Sequence, residues 1–167
     1  MTVGAKGRHL MIELPQDVFP AELKDVLFQI QLKGVTPLIS HPERHAAIQH
    51  GPALLADLIH AGSLTQVTAG SLDGSFGPRI QDCALKLLRQ NMVHVVASDA
   101  HNCDWRAPRL STARQIVQHA RGEREAALLF LERPAQILEG AYIESPEPET
   151  ERERPKKRGL LSRLFSS

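Results

Sequence analysis

Four candidate ligands for a divalent cation stand at the ends of short apolar runs. Glu13 closes "LMI", His41 follows "PLIS", and Asp99 and His101 follow "VVAS". Two arginines trail them: Arg44 lies three residues after His41 in "HPER", and Arg106 five after His101 in "SDAHNCDWRAP". Carboxylate and imidazole without thiolate suit Mn, Fe, Zn or a related divalent ion in an open catalytic site, not a closed Cys-rich zinc site. A carboxylate such as Glu13 can also bridge two ions, which favours a multinuclear site. A guanidinium fork matches phosphate oxygens in a bidentate way and stays charged at any relevant pH. Beside metal ligands on one edge, two such forks point to phosphoryl chemistry. Taken singly, the histidines read as structural, Glu13 as a solvated strand end, and each arginine as half of a surface salt bridge. Their grouping argues for a site.

The elements that must position them follow from periodicity. "HLMIEL" (9–14), "TPLIS" (36–40), "SLTQVTA" (63–69) and "VHVVAS" (93–98) read as strands. Between them lie helical patterns over 20–34, with Pro20 suited to the first turn and Gly34 to the cap, and over 51–62 and 79–91. Further helices are predicted near 108–120, 122–132 and 134–139. Four β-then-α units in a row predict an α/β fold with a parallel sheet and helical crossovers. In such folds the carboxyl edge of the sheet holds the active site, and that is the edge on which the four candidate ligands fall. "TAGSLDGSFG" (68–77) reads as a glycine-containing loop after the third strand. It lacks phosphate-loop spacing, so a nucleotide site is unsupported.

Bulk properties narrow the alternatives. At 167 residues and 42% hydrophobic, the chain suits one domain plus a tail. A formal charge of +1 argues against a nucleic-acid binder that relies on a global basic field. Cys83 and Cys103 form no CxxC and fit a reducing, cytoplasmic setting. No run approaches the ~20 apolar residues of a membrane span, and the start lacks a signal-peptide pattern, which argues against export. Cys83 and Arg89 have the Cys-x5-Arg spacing of cysteine-dependent phosphatases, but "ALKLL" between them reads as helix, leaving no amide cradle for phosphate. Residues 8–143 are expected as the folded domain and 144–167 as a disordered linker and tail, with three prolines, five glutamates and six Lys or Arg. Within the tail, basic residues surround Leu160, Leu161, Leu164 and Phe165, a pattern suited to peripheral contact with an anionic inner-membrane surface through residues 154–167, or to a partner groove. A frayed solvated tail is an equal reading. Oligomeric state is left open.

Taken in order, "LMIELP", "PLISHPERH", "GSLTQVTAGSLDGSFG" and "VHVVASDAHNCDWRAPRL" resemble the C-terminal portion of the polymerase-and-histidinol-phosphatase (PHP) type, metal-dependent protein-tyrosine phosphatases of bacterial capsular and exopolysaccharide systems, over about residues 8–140. The resemblance implies a distorted β/α barrel with a trinuclear site on its carboxyl face, manganese being the expected metal with Fe, Co or Zn as alternatives. It implies Glu13 as bridging carboxylate, His41, Asp99 and His101 as ligands, and Arg44 and Arg106 as holders of the substrate phosphate, with no phospho-cysteine intermediate. The implied substrate is the tyrosine-phosphorylated tail of an autokinase that controls polysaccharide length. A small phosphomonoester such as histidinol phosphate, or a non-catalytic interaction role, are the alternatives. The family's opening His-x-His strand and Gly-Asp-Asp-Gly type loop do not occur ahead of Glu13. The expected structure is therefore a partial barrel, since closure needs about seven or eight strands, and this chain alone is expected to bind metal weakly and hydrolyse phosphate esters slowly or not at all.

Overall fold

The computed structural model describes residues 2–15, 18–104 and 106–149. Four parallel strands form its centre: β2 (His9–Glu13), β3 (Thr36–Ser40), β4 (Leu64–Thr68) and β5 (Val95–Ala97), adjacent in chain order. The crossovers are α1 (Leu23–Leu32) after β2, α2 (Ala46–His50) and α3 (Ala53–His60) after β3, and α4 (Ala69–Leu72) and α5 (Pro78–Arg89) after β4. A short β1 (Thr2–Val3) adds an antiparallel edge, pairing Thr2 with Leu10 and Val3 with His9. The result is an open half-barrel, as the strand count predicts, with β1 as an addition.

Two residues give no periodicity, so β1 left no trace in the pattern. Its reversal is permitted by Gly4 and Gly7, at φ +72° and +67°. Gly4 also lies so close to α8 (Arg133–Glu139) that a Cβ would sit 2.4 Å from the Leu138 carbonyl oxygen.

β2 and β3 end level, with Glu13 paired to Ser40, and β4 and β5 end level two residues further on, Ser40 pairing with Gln66 and Thr68 with Ala97. Residues that follow each strand therefore share one rim. Helices cover one face of the sheet: Ile39, Val67 and Val96 pack into a core with Leu27, Leu55, Leu58, Leu72, Leu87 and Val117. Each large aliphatic so buried contributes roughly 1.5–3 kcal/mol relative to exposure. In α5 the buried set is Cys83, Ala84, Leu87 and Leu88, the one-sided stripe that "CALKLL" spells. Leu38, Leu64 and Val95 point to the opposite face and pack with Ile137 and Ile143.

After α6 (Ser111–Arg121) the chain runs through α7 (Glu123–Ala127) and a π-helical turn over Leu128–Glu132 directly into α8, where two separate helices are predicted from sequence. Pro134 is the cause we assign: lacking an N–H, it cannot continue the α-ladder, and a wider turn ahead of it keeps the helix going.

Residues 141–149, whose composition suggests a linker from 144 onward, make specific contacts with the body. Ile143 is 6% exposed, Ser145 Oγ lies 2.7 Å from His94 Nε2, and the Glu149 N–H donates to the Gln90 carbonyl at 2.8 Å. Residues 150–167, which include the basic-apolar stretch, lie outside the described residues. Among the described residues no helix is long and apolar enough to cross a membrane.

Candidate active site

The rim brings the six predicted residues together in two groups. In the first, His41 Nε2 lies 3.4 Å from Glu13 Oε1. In the second, the Asp99 carboxylate receives Arg44 Nη1 at 3.1 Å and a close contact from Arg106, while His101 Nδ1 stands 3.9 Å from its other oxygen. The groups adjoin: His41 senses the charges of Arg44, Glu13 and Asp99.

Backbone geometry at the rim is unusual at the two positions where chemistry is expected. His41 and Asp99 adopt left-handed conformations, φ +34° and +50°, which cost a non-glycine residue energy and concentrate at functional sites. Both turn sharply off the end of a strand and so project their side chains over the rim. At His41 the turn is fixed by its N–H donating to the Gln66 carbonyl at 2.7 Å, followed by a 3₁₀ turn over Pro42–Arg44.

The donor types fit a divalent cation. Burial, then the Arg44 charge, lowers the His41 pKa, so the imidazole is neutral and has a lone pair to offer. His101 Nδ1 lies 2.8 Å from the Asp99 carbonyl, a bond in which the ring nitrogen must be the donor, leaving Nε2 as the lone-pair nitrogen. Its side chain is 57% exposed. Glu13 with His41 could hold one ion and Asp99 with His101 another. No group of three or more such side chains converges on one point among the described residues, so each pair is a partial set.

Two contributors to the site are invisible to motif reading. Glu43, between His41 and Arg44, is fully buried. Its Oε1 accepts from the Thr68 N–H at 3.0 Å and the Ser71 hydroxyl at 2.6 Å, and its Oε2 has no partner among the described residues. Burial pushes its carboxyl up to about 7, against the opposing effect of those two bonds. Glu43 thereby ties the His41–Arg44 turn to the start of α4, which occupies part of the stretch expected to be a loop at 68–77. Phe76 is the second: the Arg44 and Arg106 guanidinium carbons lie 5.1 and 5.9 Å from its ring centroid. The available signal was proximity in sequence, since "HPER" and "TAGSLDGSFG" each hold one of these residues next to recognisable neighbours.

Cys83 does not join the site. It sits inside α5 and burial pushes its thiol up to about 12, the reverse of a nucleophilic cysteine. A cavity of about 240 Å³ lined by Arg8, His9, Gln31 and Thr36 lies at the opposite ends of the strands, and a groove of about 390 Å³ lined by Gln49, Arg79 and Lys86 lies between α2 and α5. Neither includes a residue of the rim.

Comparison with known proteins gives a consistent result. Residues 2–139 match the family model described as capsular polysaccharide synthesis, CpsB/CapC. The tyrosine-protein phosphatase YwqE of Bacillus subtilis is 34% identical over 143 residues, 84% of this chain and 56% of that protein. The putative tyrosine-protein phosphatase CapC of Staphylococcus aureus is 41% identical over 97 residues, 58% of this chain and 38% of that protein. A crystal structure from work on YwqE of B. subtilis and CpsB of Streptococcus pneumoniae, described as unique metal-dependent tyrosine phosphatases, superposes with a TM-score of 0.83 at 32% identity. It is matched over 88% of this chain and 60% of its own length. The chain thus spans between about two fifths and three fifths of these relatives.

Proposed function

This chain belongs to the CpsB/CapC family of capsular polysaccharide synthesis, and from that premise we propose that its rim is the phosphate-holding part of a metal-dependent protein-tyrosine phosphatase. The observation that carries the reading is the convergence of Arg44 and Arg106 on Asp99, beside the Glu13–His41 pair. Two permanently charged forks on one side of a rim, with carboxylate and imidazole donors adjoining, form a receptor for a phosphomonoester dianion.

Glu13 with His41, and Asp99 with His101, would hold the divalent ions, manganese being the expected metal. When bound, such ions supply Lewis-acid stabilisation of the phosphoryl group and activation of water. Arg44 and Arg106 bind the non-bridging phosphate oxygens and offset the charge that spreads over them during transfer. Glu43 holds the turn that carries both His41 and Arg44. The substrate is a phosphotyrosyl protein, and the tail of a polysaccharide-synthesis autokinase on the cytoplasmic side is the specific candidate. For residues 154–167, peripheral contact with an anionic membrane is proposed on composition, and deleting them should abolish binding to anionic liposomes.

The test uses the 167-residue chain supplied with manganese and a phosphotyrosyl peptide. Peptide binding should weaken at least tenfold in Arg44→Ala and in Arg106→Ala, and turnover should be slow. Binding unchanged in both arginine variants would overturn the assignment. Rapid manganese-dependent hydrolysis of p-nitrophenyl phosphate, lost in His41→Ala, would instead overturn the expectation that this chain acts slowly by itself.

A further inference from the structure

The groove between α2 and α5 adjoins the rim, and its lining residues show how. Gln49, on the α2 wall, donates from Nε2 to the Glu43 carbonyl at 2.9 Å, so that wall is bonded to the turn that carries His41 and Arg44. Cys83, on the α5 wall, is buried close enough to Glu43 to feel its charge. The α5 wall begins at Pro78, two residues beyond Phe76, whose ring centroid lies 5.1 Å from the Arg44 guanidinium carbon. Arg79 is one residue further on, a reach from Phe76 of at most about 11 Å of chain. A peptide whose phosphotyrosine is held at Arg44 thus has the mouth of the groove within a few residues' reach.

We propose that this groove receives acidic residues that flank the phosphotyrosine of the substrate; this rests on the reading of the rim as a phosphotyrosine site. Arg79, Asp82, Cys83 and Lys86 stand at i, i+3, i+4 and i+7 of α5, which is one face of the helix. Arg79 and Lys86 are exposed on it. Among the described residues neither has a carboxylate within ion-pair distance, Asp82 included. Arg79 is seated by His50 instead. Nδ1 of that ring lies 2.7 Å from the Ala46 carbonyl and must be its donor, so Nε2 is the lone-pair nitrogen that Arg79 Nη2 approaches at 3.4 Å. An imidazole lone pair orients the guanidinium without cancelling its charge, and the rest of the fork stays open to an anion.

Spacing then defines the partner. Seven residues of helix set the two cations about 10 Å apart along the axis, which is roughly the span of three residues of extended peptide. The matching chemistry is a pair of Asp or Glu residues three positions apart beside the phosphotyrosine. Asp82, between the cations, carries the opposite sign and disfavours an acid at the middle position. Exposed ion pairs are each worth a factor of only about 1.5 to 5 in affinity. The groove therefore selects among phosphotyrosines, while the rim arginines supply the common hold on phosphate.

The experiment measures binding of three phosphotyrosyl peptides to the full chain supplied with manganese, by fluorescence anisotropy at low salt. One peptide has alanine flanks; the other two carry a pair of glutamates three residues apart, on the N-terminal or the C-terminal side. One acidic peptide should bind about three- to tenfold tighter than the alanine peptide. That advantage should fall below about 1.5-fold in Arg79→Gln/Lys86→Gln and grow in Asp82→Asn. Arg79→Glu/Lys86→Glu should reverse it, favouring a peptide with lysines in place of the glutamates, an outcome that general loosening of the fold does not mimic. Inorganic phosphate, which has no flanks, should bind the parent and the double-glutamine variant within about twofold of each other, since neither exposed side chain belongs to the rim. Equal affinity for all three peptides in the parent, or an acidic preference that survives in the double variant, both proteins being folded by circular dichroism, would overturn the proposal and leave the rim reading intact. Weaker binding of every peptide in Arg44→Ala supports that reading; no weakening overturns it and this proposal with it.

Discussion

His94 gives a prediction whose size can be worked out. The residue begins the approach to β5 and is fully buried. The Thr65 N–H donates to its Nδ1 at 3.2 Å, so Nε2 carries the proton and donates to Ser145 Oγ at 2.7 Å. Burial, with a smaller effect from the Arg133 charge, holds its pKa down to about 3, against an ordinary value of 6.5. Below pH 6.5 the unfolded chain therefore binds a proton that the folded chain refuses until about pH 3. Stability from this residue is complete above pH 6.5 and is lost as the pH falls, at up to ~1.4 kcal/mol per pH unit. Two units of acidification thus remove up to about 3 kcal/mol, a large share of the roughly 5–15 kcal/mol typical of a domain. The perturbation is His94→Asn, whose Oδ1 can replace Nδ1 as acceptor for the Thr65 N–H but which does not titrate. At pH 7 the variant should be less stable by about 1–3 kcal/mol, for the lost bond to Ser145 and the lost volume. Urea unfolding at pH 7, 6, 5 and 4.5 should show the gap closing by about 1 kcal/mol or more per unit below pH 6 and changing sign near pH 5. The difference between the two proteins isolates His94 from the other histidines. A gap constant to within about 0.5 kcal/mol from pH 7 to 4.5 would refute the reasoning, because it requires His94 to titrate alike in both states.

Three further outcomes follow from buried contacts. Glu43→Gln should be tolerated, since the amide oxygen keeps the bonds from Thr68 and Ser71 and the other position has no partner to lose among the described residues; Glu43→Leu should cost about 2–4 kcal/mol by stranding both donors, measured by urea unfolding. Cys103 is exposed and Cys83 buried with a raised pKa, so a thiol reagent at pH 8 should modify one cysteine rapidly and the second only on unfolding; two fast thiols would contradict the core placement of α5. Ile143→Ala should destabilise the chain by about 2–4 kcal/mol, while a change within ±0.5 kcal/mol would show that residues 141–149 do not hold their place.

The rim was readable because its causes are local. A buried parallel strand shows as a short run rich in aliphatic and β-branched residues, a polar residue at or just past its carboxyl end marks where it stops, and adjacent paired strands bring those residues to one edge. Glu13, His41 and Asp99 were placed on that edge by this rule alone, and the arginines by a short count beyond them. Where an element was too short for a period to show, as in β1 and α4, the pattern gave no signal. Composition measures what a segment could bury in a core of its own, and says nothing of Ile143 packing with Leu38 and Leu64 or of Ser145 meeting His94.

Glu43 and Phe76 mark a different limit. A glutamate after a strand is ordinarily solvated, and a phenylalanine after two glycines ordinarily plugs a core, so neither residue type announces its role. Their meaning arises only when "HPER" and "TAGSLDGSFG" meet across the top of β3 and β4. Glu43 then reaches Thr68 and Ser71, while Arg44, one residue on, reaches Phe76. A buried carboxyl group with an oxygen unpartnered among the described residues costs free energy that a purely structural turn has no reason to retain. Its position between a candidate ligand and a candidate phosphate holder supplies the reason: the same turn must fix an imidazole and a guanidinium at once. The candidate ligands and phosphate holders are thus written in residue types, and the contacts that hold them still are written between distant segments.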